Sequence, residues 1–87
     1  MFTMYNVYRR ISQESFNGNK VIARKTRINS YEIDTYTVGN WFKNFARNLA
    51  GRYEVKAISV TAFNLEVSVL TKDGKNLIFE YWAEATK

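Results

Sequence analysis

The feature that most constrains this chain is a single change of hydrophobic period. Between residues 37 and 51 (TVGNWFKNFARNLAG), Val38, Trp41, Phe42, Phe45 and Leu49 recur at intervals of three and four, which lines them up along one side of a helix. Lys43, Asn44, Arg47 and Asn48 fall on the opposite side and predict a solvated outer face. Thr37 or Asn40 is the expected cap at the helix start. Gly51 is placed to take a left-handed conformation just past its end.

On either side of this helix the apolar residues alternate, which is the period of strands. Residues 3 to 11 (TMYNVYRRI) and 20 to 28 (KVIARKTRI) flank Asn17-Gly18, a pair suited to the tight turn of a hairpin because both central positions need positive φ. With that two-residue turn, Arg10 faces Lys25, Tyr8 faces Arg27 and Val7 faces Ile28, and Val7, Ile11, Ile22 and Ile28 share the core side. A wider loop would shift the pairing and exchange the faces. A short strand at 31 to 36 extends the second strand or leads into the helix.

From Tyr53 onward period two returns in YEVKAISV, LEVSVLT and NLIFEYWAE, with breaks at Phe63-Asn64 and Asp73-Gly74. The expected architecture is therefore one α+β domain spanning 1–87. It is a mostly antiparallel sheet of about five strands with one amphipathic helix packed on one face, in the order β-β-α-β-β-β. If Asp73-Gly74 forms the centre of its turn, one sheet face carries Leu65, Val67, Val69, Ile78 and Trp82, and the other Leu70, Leu77, Phe79 and Tyr81. One helix covers one face, so the second apolar set needs loops, the N-terminus, a second copy of the chain in a homodimer, or a ligand.

The inventory of reactive groups is short. The chain has no His and no Cys, which removes the commonest general base, the commonest metal ligand, thiolate zinc sites and disulfides. Gly18, Gly39, Gly51 and Gly74 are isolated and form no phosphate-cradling loop. Ser12, Ser15 and Ser59 have no partner base in any recognisable pattern. Glu32 and Asp34 fall two apart, yet two carboxylates without further ligands make a weak cation site. The expectation is a non-enzymatic protein with no cofactor and no metal. No apolar run approaches the ~20 residues of a membrane span, and MFTMYNVYRR lacks a signal-type apolar core; a cytoplasmic protein without membrane contact is expected.

Charge gives the functional lean. Thirteen Lys and Arg against eight Asp and Glu leave a net charge of +5, which favours polyanions or acidic protein surfaces as partners. The predicted binding residues are Tyr8, Arg10, Arg24, Lys25 and Arg27 on the first hairpin, with Lys43 and Arg47 on the helix. Arg10 opposite Lys25 is a like-charge pair that needs a nearby anion, from a ligand or from Glu14 or Glu32. The plainer reading is a solvated face that protects a sheet edge. Tyr5, Tyr8, Tyr81 and Trp82 are the candidates for stacking on single-stranded bases.

These features point to a small binding protein that inhibits or modulates a larger host complex handling nucleic acid or defence, as anti-CRISPR proteins do. The usage of Asn, Lys, Tyr, Ile and Phe without Pro matches an AT-rich phage or mobile element, with action in the host cytoplasm. The alternative is a module that binds DNA or RNA directly through the basic, aromatic hairpin face.

Overall fold

A computed structural model describes residues 4–14, 20–22, 25–32 and 35–85. The strands are β1 (Met4–Glu14), β2 (Lys20–Ile22), β3 (Thr26–Glu32), β4 (Glu54–Val60), β5 (Asn64–Leu70) and β6 (Asn76–Ala85), and the helix α1 spans Thr35–Arg52. All pairings are antiparallel, in the order β2-β1-β6-β5-β4. β2 and β3 pair with successive stretches of the same side of β1, so the sheet is five strands wide. The expected α+β order is what the chain adopts. Among the described residues no helix is long and apolar enough to cross a membrane.

The helix buries the predicted stripe. Val38, Phe42 and Leu49 are buried, and Trp41 and Phe45 pack against the same core. Lys43, Asn44, Arg47 and Asn48 are exposed. Its ends differ from expectation: the helix begins at Thr35, so Thr37 and Asn40 lie inside it, and it runs through Gly51 to Arg52. Gly51 is not in the left-handed region; the chain leaves the helix with the Tyr53 amide still donating to the Leu49 carbonyl at 2.9 Å.

The second hairpin corrects the expected faces. Leu65 pairs with Tyr81, Val67 with Phe79 and Val69 with Leu77, whereas a two-residue Asp73-Gly74 turn would have set Val69 against Ile78. The Thr71 amide donates to the Lys75 carbonyl at 2.9 Å and the Gly74 amide to the Thr71 carbonyl at 3.1 Å, which makes the loop three residues, 72 to 74. Gly74, with φ of 85°, is its third residue, the position where such loops take the left-handed conformation. One extra loop residue slides the register and moves a whole set of side chains across the sheet.

As a result Leu65, Val67, Val69, Leu77, Phe79 and Tyr81 share one face and form the core with Val7 and the helix. The other face of β5 and β6 carries Glu66, Ser68, Leu70, Ile78, Glu80, Trp82 and Glu84. Two apolar faces competing for one helix do not arise.

The edge strands contain further irregularities. Pairing of β4 with β5 shifts between Val55 and Ala57, and this bulge lets Val55 and Ile58 face the same side although they are three apart. Pairing of β1 with β3 shifts between Val7 and Tyr8: Tyr8 faces Arg27 as expected, but Val7 faces Asn29, with Ile28 as the extra residue. Nearer the turn, Ser12 faces Ile22, one residue away from the two-residue-turn register. The Asn17-Gly18 turn itself lies outside the described residues, as do Ser15, Arg24 and Asp34.

Candidate functional site

The side of the sheet away from the helix presents a compact cluster of aromatic and cationic side chains. Tyr8 on β1 and Trp82 on β6 are cross-strand partners, with ring centroids 5.7 Å apart and planes 24° apart. The Arg10 guanidinium lies 5.1 Å from the centre of the Trp82 ring, and the Lys25 ammonium lies 4.1 Å from the centre of Tyr8 and 5.7 Å from that of Trp82. Each cation sits over the negative face of a ring, an attraction of about 0.5 to 1 kcal/mol at such partly exposed positions. Tyr8, Arg10 and Trp82 are half-buried and Lys25 is exposed.

Glu84 ties the cluster together. One carboxylate oxygen accepts from the Trp82 indole N–H at 2.6 Å and from the Lys25 ammonium at 3.3 Å. The indole hydrogen bond, followed by that from Lys25, holds the Glu84 carboxyl below its ordinary value of 4.5. Lys25 thus has a carboxylate partner within the chain, and the cross-strand partner of Arg10 on β6 is Glu80.

This arrangement supplies a carboxylate beside the expected like-charge pair of Arg10 and Lys25. The β1–β3 pairing ends at Arg9 with Thr26 in the expected register, and Lys25 lies just beyond it, reaching over Tyr8 toward Glu84. The carboxylate that meets Lys25 is Glu84 of β6. A bound anion is therefore not required to offset Lys25.

Of the predicted contact residues, Tyr8, Arg10 and Lys25 come together, and Arg27, paired with Tyr8, adds an exposed cation at the same edge. Lys43 and Arg47 are exposed on the outer side of α1, across the sheet from this cluster, and belong to a separate surface. Arg24 lies outside the described residues. Two of the expected stacking residues are removed from the open face: Tyr81 is buried against Phe45, centroids 4.4 Å apart, and Tyr5 stacks on Phe63 on the helix side.

The open face also has an acidic half. Glu80 stands directly opposite Glu66, so one row across the sheet reads Arg10, Glu80, Glu66. Cations line the β1 and β3 edge, and carboxylates occupy β5 and β6. The signal for this half was present in β6, where Glu80, Trp82 and Glu84 alternate with Phe79, Tyr81 and Ala83. Two charged residues flanking Trp82 at strand spacing mark the side that avoids the core.

Among the described residues no group of three or more potential ligands is placed to hold a metal ion. Comparison of the chain with protein-family models, curated proteins and solved structures finds no match.

Proposed function

We propose that this chain is a non-enzymatic binding protein whose open sheet face, centred on Tyr8, Trp82, Arg10 and Lys25, docks on the surface of a larger protein or nucleoprotein assembly. In this reading it is an inhibitor or modulator of the kind that phages and mobile elements direct at host complexes. The observation that carries the reading is the Tyr–Trp–Arg cluster held half-buried on a face that needs no such residues for its core. Tyr, Trp and Arg are the side chains that dominate interface energetics when gathered at the centre of a contact patch.

Direct binding of a nucleic acid is the weaker reading. The ring faces a base would stack on already carry Arg10 and Lys25, and a strand crossing the sheet would meet Glu80 and Glu66. Mixed charge favours a protein partner with its own mixed charge, because complementary patterns set register and specificity.

The test is affinity capture from lysates of candidate host cells with the wild-type chain and with the double variant Arg10→Glu, Lys25→Glu. The reading expects one specific assembly to be retained by the wild type and lost by the variant, with modest dependence on salt. Retention of the same assembly by both proteins would refute the role of this face. Saturable binding to oligonucleotides with a steep log-linear salt dependence would favour the nucleic-acid reading instead.

A further inference from the structure

On the helix side of the sheet, a cleft of about 400 Å³ lies between the C-terminal half of α1 and strands β1, β3 and β6. Its floor is apolar, built from Ile28, Phe45, Leu49 and Phe79. Its polar lining comes from Arg9, Asn48, Arg52, Tyr53 and Tyr81, and no carboxylate borders it among the described residues. We propose that this cleft is a binding site for a small organic carboxylate with an aromatic or aliphatic body.

The argument begins with the donors. A guanidinium carries a planar fork of N–H donors and no acceptor, a geometry matched to both oxygens of a carboxylate. Arg9 and Arg52 approach the cleft from different elements, β1 and the last turn of α1. The plain roles of these residues use only part of their capacity. Arg52 complements the negative end of the helix, and Arg9 lies near enough to the Tyr81 hydroxyl to favour its ionised form.

Burial raises the Tyr81 hydroxyl above its ordinary value, with Arg9 offsetting part of the effect. The hydroxyl therefore stays protonated and can donate. Two guanidinium groups beside a cavity whose described lining holds no carboxylate favour an acceptor-only, negatively charged group. The floor adds the second half of the recognition, because an apolar body seated on it leaves water. The size lies in the lower part of the range for small-molecule sites, which fits a single ring system or a short chain and not a polymer.

This site lies on the opposite side of the sheet from Tyr8 and Trp82, so its failure and the failure of the docking reading are separate outcomes. The experiment is a titration of the ¹⁵N-labelled full chain with 1-naphthoate, followed by amide shifts. Its neutral analogue 1-naphthamide and inorganic phosphate serve as comparison probes. The expected result is a saturable response below about 1 mM naphthoate, with shifts centred on Arg9, Leu49, Arg52, Tyr53 and Tyr81. Naphthamide and phosphate should each bind at least roughly tenfold more weakly, as should naphthoate to the Arg52→Gln variant. Equal binding of naphthoate and naphthamide by the wild type would overturn the proposal, as would shifts centred on Tyr8 and Trp82 or no saturable response. None of these wild-type readouts depends on a variant folding.

Discussion

The two faces of the β1–β6 pair are made from alternate residues of the same strands, yet they do different work. On the helix side, Val7, Phe79 and Tyr81 are buried with Phe42, Leu65, Val67 and Val69 in one continuous core. On the other side, Tyr8, Arg10, Trp82 and Glu84 are partly exposed and hold one another through ring contacts, cation–ring contacts and hydrogen bonds. The first set is held by removal from water and serves the fold first. The second is ordered by pairwise polar and aromatic contacts, each worth about 1 kcal/mol or less, and keeps its surface available. Substitutions on the two faces should therefore separate stability from binding.

The largest effect belongs to the covered face. Phe42 is 1% exposed, and Phe42→Ala should cost about 3 to 5 kcal/mol by removing buried area and leaving a cavity. For a domain this small, denaturant melts should show a large loss of midpoint or no folded baseline. A cost under about 1 kcal/mol would mean that the helix is not packed as described.

Trp82→Ala should divide differently. Loss of the Tyr8 and Arg10 contacts and of the bond to Glu84 should lower stability by about 1 to 2 kcal/mol. Binding to the captured partner should fall by at least about 2 kcal/mol, roughly thirtyfold, if Trp82 anchors the interface. Parallel melts and binding titrations distinguish the two effects. A variant that loses stability alone would assign this cluster to the fold.

Gly74→Ala probes the loop that assigns residues to faces. Nothing lies within 4 Å of an added Cβ, so the cost is conformational, about 1 to 2 kcal/mol for a left-handed residue with a side chain. The change should appear in the melting midpoint with the core spectrum intact.

Smallest is the effect of acid on Glu84. Its carboxyl is depressed when folded, so the unfolded chain holds the proton more tightly. The associated stability is present above about the ordinary value of 4.5 and is lost as pH falls through the depressed folded value. Glu84 and Lys25 are each about half exposed, so solvent screening keeps the contribution of their pair small. Glu84→Gln should flatten a small part of the acid side of a stability–pH curve and leave the neutral side nearly unchanged.

How much of this was legible in the residues depends on how locally each feature is determined. The helix follows from five large apolar side chains at fixed spacing, and its buried and exposed sides match that spacing. Its ends were less legible: Thr37 and Asn40 suit a cap chemically, but the helix already begins at Thr35 and passes through Gly51. The strands of the second hairpin were visible from alternation, but their register was not. Asp73-Gly74 serves equally as the centre of a two-residue turn or as the end of the three-residue loop 72 to 74, and that choice exchanges Tyr81 with Trp82 between core and surface.

The basic cluster was found in part because Lys and Arg crowd the first hairpin. Its organisation was not legible, since Arg10 and Lys25 gather on the rings of Tyr8 and Trp82 and the carboxylate that meets Lys25 comes from β6. The cleft at Arg9 and Arg52 joins residues more than forty positions apart. No local pattern announces it.

The most direct test of the division into a folding face and a binding face is the pairing of β5 with β6, read from nuclear Overhauser contacts in the free protein. The account predicts Val67 across from Phe79, Leu65 across from Tyr81, and the Tyr81 ring against Phe45, with Trp82 contacting Tyr8. Observation of Val69 across from Ile78 and Leu65 across from Trp82 would put Trp82 beneath the helix and Tyr81 on the open side. That result would contradict the account.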